Sequence, residues 1–128
     1  MSKPFIPRYS RWPCQRWLTK AFSGLSDRDK LGLCYLETGP HKHIEGIYLL
    51  PPEYACADLG WTLKNWLLAL GALEVAGFIK WHAQSRTVFI VDALLCQAPE
   101  NPNQADGAIR RILDLPASPL IQEFCAIA

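Results

Sequence analysis

Three polar residues stand where a helix is expected to begin, and their types are those that contact nucleic acids. Thr62, Lys64 and Asn65 lie at the start of the stretch WTLKNWLLALGALEVAG. A threonine at this place can cap a helix by accepting a hydrogen bond from a free backbone N–H group. Lysine can reach a phosphate or a guanine, and asparagine can read an adenine in the major groove. The first turn of this helix is therefore a candidate DNA-contacting surface.

A second polar group lies further along the chain. Gln84, Ser85 and Arg86 separate two segments rich in aromatic and β-branched residues, and Lys80 and His82 flank them. This pattern is typical of a β-hairpin. A hairpin that follows a DNA-reading helix can touch the DNA backbone or the minor groove. We therefore expect the three turn residues and Lys80 to supply further contacts.

Basic side chains are also concentrated at the N-terminus. Residues 1–24 contain five basic residues and no acidic one, whereas the rest of the chain has eight basic and twelve acidic residues. The arginines are Arg8, Arg11 and Arg16, and the aromatic residues among them are Phe5, Tyr9, Trp12 and Trp17. Such an arm can contact phosphates and stack on bases. In the alternative interpretation, its aromatic side chains pack on the domain and its charges only solvate it.

The elements that position these residues are predicted from turn residues and hydrophobic spacing. The chain divides into a strand over 46–50, helices over 52–59 and 63–76, and two strands over 78–82 and 86–91. Prolines suit the start of the first helix, and Gly60 and Gly77 suit the two helix ends. Leu63, Trp66, Leu70 and Leu73 share one face of the second helix. Two helices joined by a glycine turn and followed by a hairpin describe a helix-turn-helix with a wing.

Further helices are expected on both sides of this unit. Ser26 is placed to cap a helix that runs to about Glu37 and buries Leu31. Asn103 is placed to cap a helix over about 104–115, with Ile109 inward and with Arg110 and Arg111 outward. A last helix is expected to begin at Ser118-Pro119.

The predicted fold class is therefore α+β and mainly helical, a winged helix-turn-helix with a small antiparallel sheet and extra C-terminal helices. Residues 1–24 form the basic aromatic arm, 25–97 the winged-helix domain and 98–128 a helical extension that packs on it. With 128 residues, half of them hydrophobic, the chain can bury a core. No run approaches the roughly 18 apolar residues that cross a bilayer, and no signal peptide is recognised, so no membrane contact and a cytoplasmic location are expected.

Cysteine and histidine spacing gives no sign of a cofactor. The five cysteines, Cys14, Cys34, Cys56, Cys96 and Cys125, form no CxxC pair, which favours free buried thiols over disulfides or zinc. His41 and His43 stand in a polar loop rather than at metal-ligand spacing. No GxSxG, Walker A or HExxH pattern occurs. We therefore expect no cofactor, no metal, no catalytic residue and no enzymatic activity.

The middle of the helix over 63–76 favours a different kind of surface. Leu67 and Leu68 lie outside the inward-facing stripe, and Lys64 is the only cation of this helix. Each phosphate contact that releases a counterion needs a cation, whereas exposed leucines form an apolar patch suited to a protein partner or a second copy. Burial of one leucine beneath the arm or the C-terminal helices is the alternative.

A set of short motifs, spread from about residue 8 to residue 124, resembles small phage and prophage replication proteins. The likeness is to the winged-helix domain at the N-terminus of replisome organisers and initiator-like proteins. The motifs, individually weak but matching in order and spacing, are Leu25-Ser26-Asp27, Thr38-Gly39-Pro40-His41, Gly46-Ile47-Tyr48 with Leu50-Pro51, Asp58-Leu59-Gly60-Trp61, Ala76-Gly77-Phe78-Ile79, Arg86-Thr87-Val88-Phe89-Ile90, Pro99-Glu100-Asn101-Pro102-Asn103 and Ser118-Pro119-Leu120.

The resemblance implies non-catalytic DNA binding in replication initiation or its control. Larger members carry a further region that contacts a helicase or its loader, and we do not expect that region within these 128 residues. Duplex DNA is the expected partner, with a replication protein or a second copy as further candidates. Two alternatives stay open, namely a protein-interaction module that uses Leu67 and Leu68, and a transcriptional regulator with the same fold.

Overall fold

The computed structural model describes residues 9–93 and 98–127, in which helices surround a small sheet. A 3-10 helix spans Cys14–Leu18, and the α-helices are α1 (Lys20–Ser23), α2 (Asp27–Thr38), α3 (Pro52–Leu59), α4 (Leu63–Val75), α5 (Pro102–Leu113) and α6 (Pro119–Ile127). The strands are β1 (Ile47–Leu49), β2 (Ile79–His82) and β3 (Thr87–Ile90). The expected mainly helical α+β class with a small antiparallel sheet is confirmed. Within the described ranges, no helix has the length and apolar character needed to cross a bilayer.

Local side-chain chemistry fixes the helix ends near the candidate contacts. Ser26 Oγ accepts a hydrogen bond from the Asp29 N–H group at 3.1 Å at the start of α2, as predicted. Gly60 follows α3 with a left-handed φ of 70°, a conformation that favours glycine. Its N–H group donates to the Cys56 carbonyl at 2.9 Å. This tight turn allows α4 to begin at Leu63.

The strands pair in the order β1–β3–β2, and both pairings are antiparallel. Ile47 of β1 lies opposite Phe89, and Ile79 of β2 lies opposite Ile90. All four residues of the central strand β3 are buried. Because successive side chains of a strand point to opposite faces, β3 contributes to two apolar layers.

One layer lies between the sheet and the helices α2 and α4. Its largest fully buried members include Trp66, Phe22, Leu33, Leu36 and Leu73. The other layer joins Ile47 and Phe89 to Leu120 and Phe124 of α6. The rings of Phe89 and Phe124 meet edge to face with centroids 5.7 Å apart. Helix α6 thus covers the face of the sheet that α2 and α4 leave open.

The described part of the N-terminal arm is packed on this core. Phe22 is completely buried, and the rings of Trp12 and Trp17 contact its ring with centroids at 6.1 and 4.9 Å. Ser10 Oγ donates to the Glu37 carbonyl at 2.5 Å. The contacts of Trp12 agree with the interpretation in which the aromatic residues pack on the domain, whereas Tyr9 and Trp17 are exposed. Residues 1–8, including Phe5 and the predicted contact Arg8, lie outside the described residues.

Helix α5 differs from the prediction in where it starts and in which residues face inward. It begins at Pro102, because Asn101 rather than Asn103 supplies the cap and accepts a hydrogen bond from the Gln104 N–H group at 2.8 Å. Ile109 was expected inward and is exposed.

Two further side chains also differ from their expected orientation. Arg111, expected outward, forms two hydrogen bonds with the buried Glu45 carboxylate, at 2.8 and 3.1 Å. This pairing raises the pKa of Arg111. Leu31 of α2 is exposed instead of buried. Amphipathic spacing therefore located the helices but not the edges of their buried faces.

Candidate nucleic-acid interface

The first turn of α4 presents polar side chains to solvent. Thr62 Oγ1 accepts a hydrogen bond from the Asn65 N–H group at 3.3 Å, so Thr62 caps the helix as predicted. Lys64 and Asn65 are exposed. The next residue, Trp66, is buried and meets the Tyr35 ring of α2 edge to face at 5.9 Å. A buried aromatic residue therefore holds the exposed turn in place.

Helix α3 is joined to α2 by a polar contact beside this turn. The Tyr35 hydroxyl donates to Asp58 Oδ2 at 2.6 Å. Burial raises the pKa of Tyr35, and the hydrogen bond to the Asp58 carboxylate raises this pKa further. Asp58 thus uses its carboxylate within the fold.

Residues 83–86 form the turn of the β2–β3 hairpin. Arg86 adopts a left-handed φ of 55°, which is uncommon for a residue other than glycine. Its carbonyl accepts a hydrogen bond from the Leu50 N–H group at 2.8 Å, which joins the turn to the end of β1. Gln84 and Arg86 are exposed, and Lys80 of β2 is about half exposed. The turn thus presents two of its three predicted contact residues to solvent.

Ser85, the third predicted residue of the turn, faces inward and is only 9 % exposed. Its N–H group donates to His82 Nδ1 at 3.3 Å, and its Oγ lies 2.7 Å from the same nitrogen. The Oγ is also 2.8 Å from Thr87 Oγ1, which is in turn 2.9 Å from Ser118 Oγ. This chain of hydroxyl groups stabilises the turn and links it to the start of α6. The structure therefore argues against the predicted surface contact by Ser85.

A cleft of about 480 Å³ separates the start of α4 from the hairpin turn. Leu63 and Leu67 line it from α4, Ala83 and Arg86 from the turn, and Glu53 from α3. Trp66, Trp81 and Val88 are among the residues that give the lining its apolar character. The first turn of α4 and the hairpin turn thus share one concave surface, to which Arg86 alone of the predicted contact residues contributes.

Carboxylates accompany both hairpin cations. Arg86 Nη1 lies 3.6 Å from Glu53 Oε2 of α3, and Lys80 Nζ lies 3.5 Å from Glu123 Oε2 of α6. Within the described part of the chain, no comparable ion pair involves Lys64. The positive charge of the surface is therefore partly balanced at the hairpin and not at the start of α4.

The two described arginines of the arm have different surroundings. Arg11 is exposed and forms an ion pair with Glu100. Arg16 is only 7 % exposed, and its guanidinium donates to the buried carboxylate of Glu37. The Arg16 guanidinium also lies over the Trp12 ring, 4.8 Å from its centroid. Because these partners enclose it, the prediction that Arg16 contacts phosphates is corrected to a structural role.

Burial raises the pKa of the Glu37 carboxyl group, while Arg16 and Lys42 lower it. Lys42 is itself buried and donates to Ser10 Oγ at 2.9 Å. The N-terminal segment is thus held to the end of α2 by a buried polar network. A sequence signal for this network was absent, because Arg16 and Glu37 lie far apart along the chain.

An apolar surface adjoins the polar turn of α4. Leu67 and Leu68 are 38 % and 49 % exposed, so neither is buried beneath the arm or the C-terminal helices. Leu63, expected in the inward stripe, is 54 % exposed, and Tyr54 of α3 is exposed to the same extent. Sequence reasoning identified the two central leucines and missed the other two residues, because spacing alone does not give the width of a buried face.

The described residues contain no group of three or more His, Cys, Asp or Glu side chains placed to hold a metal ion. Cys14, Cys34, Cys56 and Cys125 are free thiols. Two of them, Cys14 and Cys125, are exposed, contrary to the expected burial, and Cys96 lies outside the described residues. The His41 ring contacts the Tyr54 ring with centroids 4.9 Å apart.

No protein-family profile, curated protein or solved structure matches the chain. The assignment of this surface therefore depends on its geometry and on the chemistry of its side chains.

Proposed function

We propose that the chain is a winged-helix protein that binds duplex DNA without catalysing a reaction. In this interpretation α2, α3 and α4 are the three helices of the fold, α4 is the recognition helix and the β2–β3 hairpin is the wing. The observation that supports the proposal best is the common cleft between the first turn of α4 and the hairpin turn. A recognition helix and a wing must lie side by side in this way to contact one duplex.

The proposed contacts follow from the exposed side chains. Lys64 and Asn65 at the start of α4 enter the major groove, where lysine binds guanine or phosphate and asparagine binds adenine. Lys80, Gln84 and Arg86 contact the backbone or the minor groove beside it. Thr62 orients the first turn as its cap.

Binding to a mixed-sequence duplex, measured by fluorescence anisotropy at about 50 and about 200 mM salt, tests the proposal. If Lys64, Lys80 and Arg86 each bind a phosphate, affinity is expected to fall roughly 40-fold between these two salt concentrations. Replacing Lys64 and Arg86 together with alanine should lower the affinity at low salt roughly tenfold or more. It should also reduce the slope of the logarithm of affinity against the logarithm of salt concentration by about two.

The matched control replaces Lys20 and Arg110, two exposed cations that belong neither to α4 nor to the hairpin, with alanine. This variant loses the same charge and should keep most of the affinity. Absence of salt-sensitive binding at about 50 mM salt would reject the proposal. An equal loss of affinity in the control would show that the DNA-contacting surface is not confined to the start of α4 and the hairpin.

We further propose that this DNA binding serves phage-type replication initiation or its control in the cytoplasm. The support is the resemblance of the motifs that order the helices, the hairpin and the C-terminal extension. Genomic fragments selected by the purified protein distinguish this role from transcriptional regulation. Enrichment of fragments that let a plasmid replicate supports replication, whereas enrichment of promoters supports regulation.

A second candidate function is association with a protein, and the exposed leucines of α4 favour it. Leu63 and Leu67 line the cleft, and Leu68 is exposed on the same helix. Exposed apolar patches mark interaction sites. The simplest partner to test is a second copy of the chain.

Replacing Leu67 and Leu68 with glutamine is expected to abolish any concentration-dependent self-association seen in sedimentation velocity. The same change should leave duplex affinity within about twofold, because glutamine is neutral and suits a helix. Replacement of the exposed Ile109 and Leu113 of α5 with glutamine is the matched control. A wild-type chain that stays monomeric at all concentrations would contradict self-association through this patch.

A further inference from the structure

The two cations proposed for the wing lie next to carboxylates that belong to other elements. Glu53 of α3 reaches across the cleft to Arg86, with 3.6 Å between the charged atoms. Glu123 of α6 reaches Lys80 at 3.5 Å. In both pairs the carboxylate lies beside the ammonium or guanidinium group. A DNA phosphate that binds this group would need the same place.

We propose that Glu53 and Glu123 compete with DNA phosphates for Arg86 and Lys80 and thereby limit non-specific binding through the wing. This inference rests on the proposed DNA-binding function. A phosphate that binds either cation must displace the carboxylate or accept repulsion from it, because like charges at such distances repel. Lys64 has no such competitor among the described residues, so the competition acts at the wing and not at the start of α4.

The strength of the two ion pairs sets the expected size of the effect on DNA affinity. Arg86 and Lys80 are about half exposed in their pairs, and ion pairs exposed to water are weak. Replacing Glu53 with glutamine should therefore raise affinity for a mixed-sequence duplex only two- to fivefold at about 50 mM salt. Glu123→Gln should have an effect of similar size, and the two gains should multiply because the pairs share no residue.

The control separates direct competition from the general effect of removing a negative charge. Asp106 of α5 is exposed and does not line the cleft, so Asp106→Asn changes the net charge by the same amount without touching either pair. It should raise the affinity by less than about 1.5-fold, because salt screens an exposed charge that lies away from the bound phosphates. The double-mutant cycle is more direct, because Glu53→Gln should lose most of its effect when Arg86 is already alanine.

The experiment measures duplex binding by the wild type, Glu53→Gln, Arg86→Ala and the double variant. Glu123→Gln and Asp106→Asn are measured beside them. A gain in Glu53→Gln that is largely lost without Arg86 supports competition. An equal gain in Asp106→Asn, or a gain in Glu53→Gln that is undiminished without Arg86, overturns competition and leaves DNA binding intact. If the wild type and every variant fail to bind, the DNA-binding proposal itself is rejected and the competition falls with it.

Discussion

Replacing Arg16 with alanine is expected to lower the free energy of unfolding by about 3–5 kcal/mol, the cost of breaking a buried ion pair by removing one partner. Arg16 and Glu37 are both buried, and their side chains are joined by a direct hydrogen bond. Without the guanidinium, Glu37 would remain as a buried carboxylate, and the contacts with the Trp12 and Phe78 rings would be lost. Urea denaturation followed by tryptophan fluorescence measures the change.

The loss should depend on pH in a defined direction. The pKa of Glu37 in the folded protein already lies above its usual value because of burial, and removal of Arg16 takes away an influence that lowers it. A carboxyl group whose pKa is raised on folding destabilises the fold as the pH rises through that folded-state pKa. The effect of Arg16→Ala should therefore be greatest near neutral pH and should shrink as the pH falls toward about 4.3.

Two controls test this explanation. Arg11→Ala removes an arginine whose ion pair with Glu100 is exposed, and it should cost less than about 1 kcal/mol. Replacing Arg16 with methionine and Glu37 with leucine together should recover part of the stability, because both charges of the buried pair are removed together. The recovery should be incomplete, because the buried Lys42 then loses the Glu37 carboxylate. A loss by Arg16→Ala that is no larger than that of Arg11→Ala would contradict the structural role.

Local chemistry made much of the helical framework predictable. The cap of α2 at Ser26, the cap of α4 at Thr62 and the left-handed turn at Gly60 each depend on residues within four positions of one another. Their geometry follows from the backbone groups that every helix end leaves unpaired. The same reasoning placed the hairpin, whose turn separates two segments of β-branched and aromatic residues.

The partners of the polar side chains were not predictable in this way. Arg16 finds Glu37, and Ser85 reaches Ser118 through Thr87, by contacts that only the folded chain creates. Both residues carry side chains typical of a DNA contact, so residue type alone suggested a surface role. Of the three turn residues, burial removes Ser85 from the candidate surface and leaves Gln84 and Arg86.

Packing rather than spacing also decided where the apolar surface lies. The three- and four-residue spacing of α4 places Leu63 with Trp66 and Leu70, yet Leu63 lines the cleft and is exposed. A helix near the edge of a domain buries only part of its apolar stripe. The exposed apolar surface around α4 is consequently wider than Leu67 and Leu68 alone indicate.

Replacing Gly46 with alanine is expected to lower the free energy of unfolding by about 2–5 kcal/mol, for two separate reasons. Gly46 has a left-handed φ of 73°, which strains a residue with a Cβ atom. A Cβ atom at Gly46 would also lie 2.0 Å from the Ala93 Cβ atom, far inside van der Waals contact. The Gly46 carbonyl accepts a hydrogen bond from the Ile90 N–H group at 2.8 Å, so a shift of Gly46 would disturb the start of β1 and its pairing with β3.

The same substitution at two other glycines separates strain from collision. Gly60 has a left-handed φ of 70° and open space where an added methyl group would lie, so Gly60→Ala should cost only the strain of about 1–2 kcal/mol. Gly71 lies inside α4 with open space and an ordinary helical backbone, so Gly71→Ala should stabilise the protein by up to about 1 kcal/mol.

Removing the obstacle then tests the collision directly. In a chain that carries Ala93→Gly, a methyl group at Gly46 would meet its nearest remaining neighbours at 3.5 Å, which is ordinary contact. Gly46→Ala in that background should therefore cost no more than Gly60→Ala, and the difference from its cost in the wild type measures the collision as a coupling energy. Equal costs of Gly46→Ala in both backgrounds would show that Ala93 does not confine this turn. The cost of Gly46→Ala would then come from the left-handed backbone of Gly46 and its hydrogen bond with Ile90 alone.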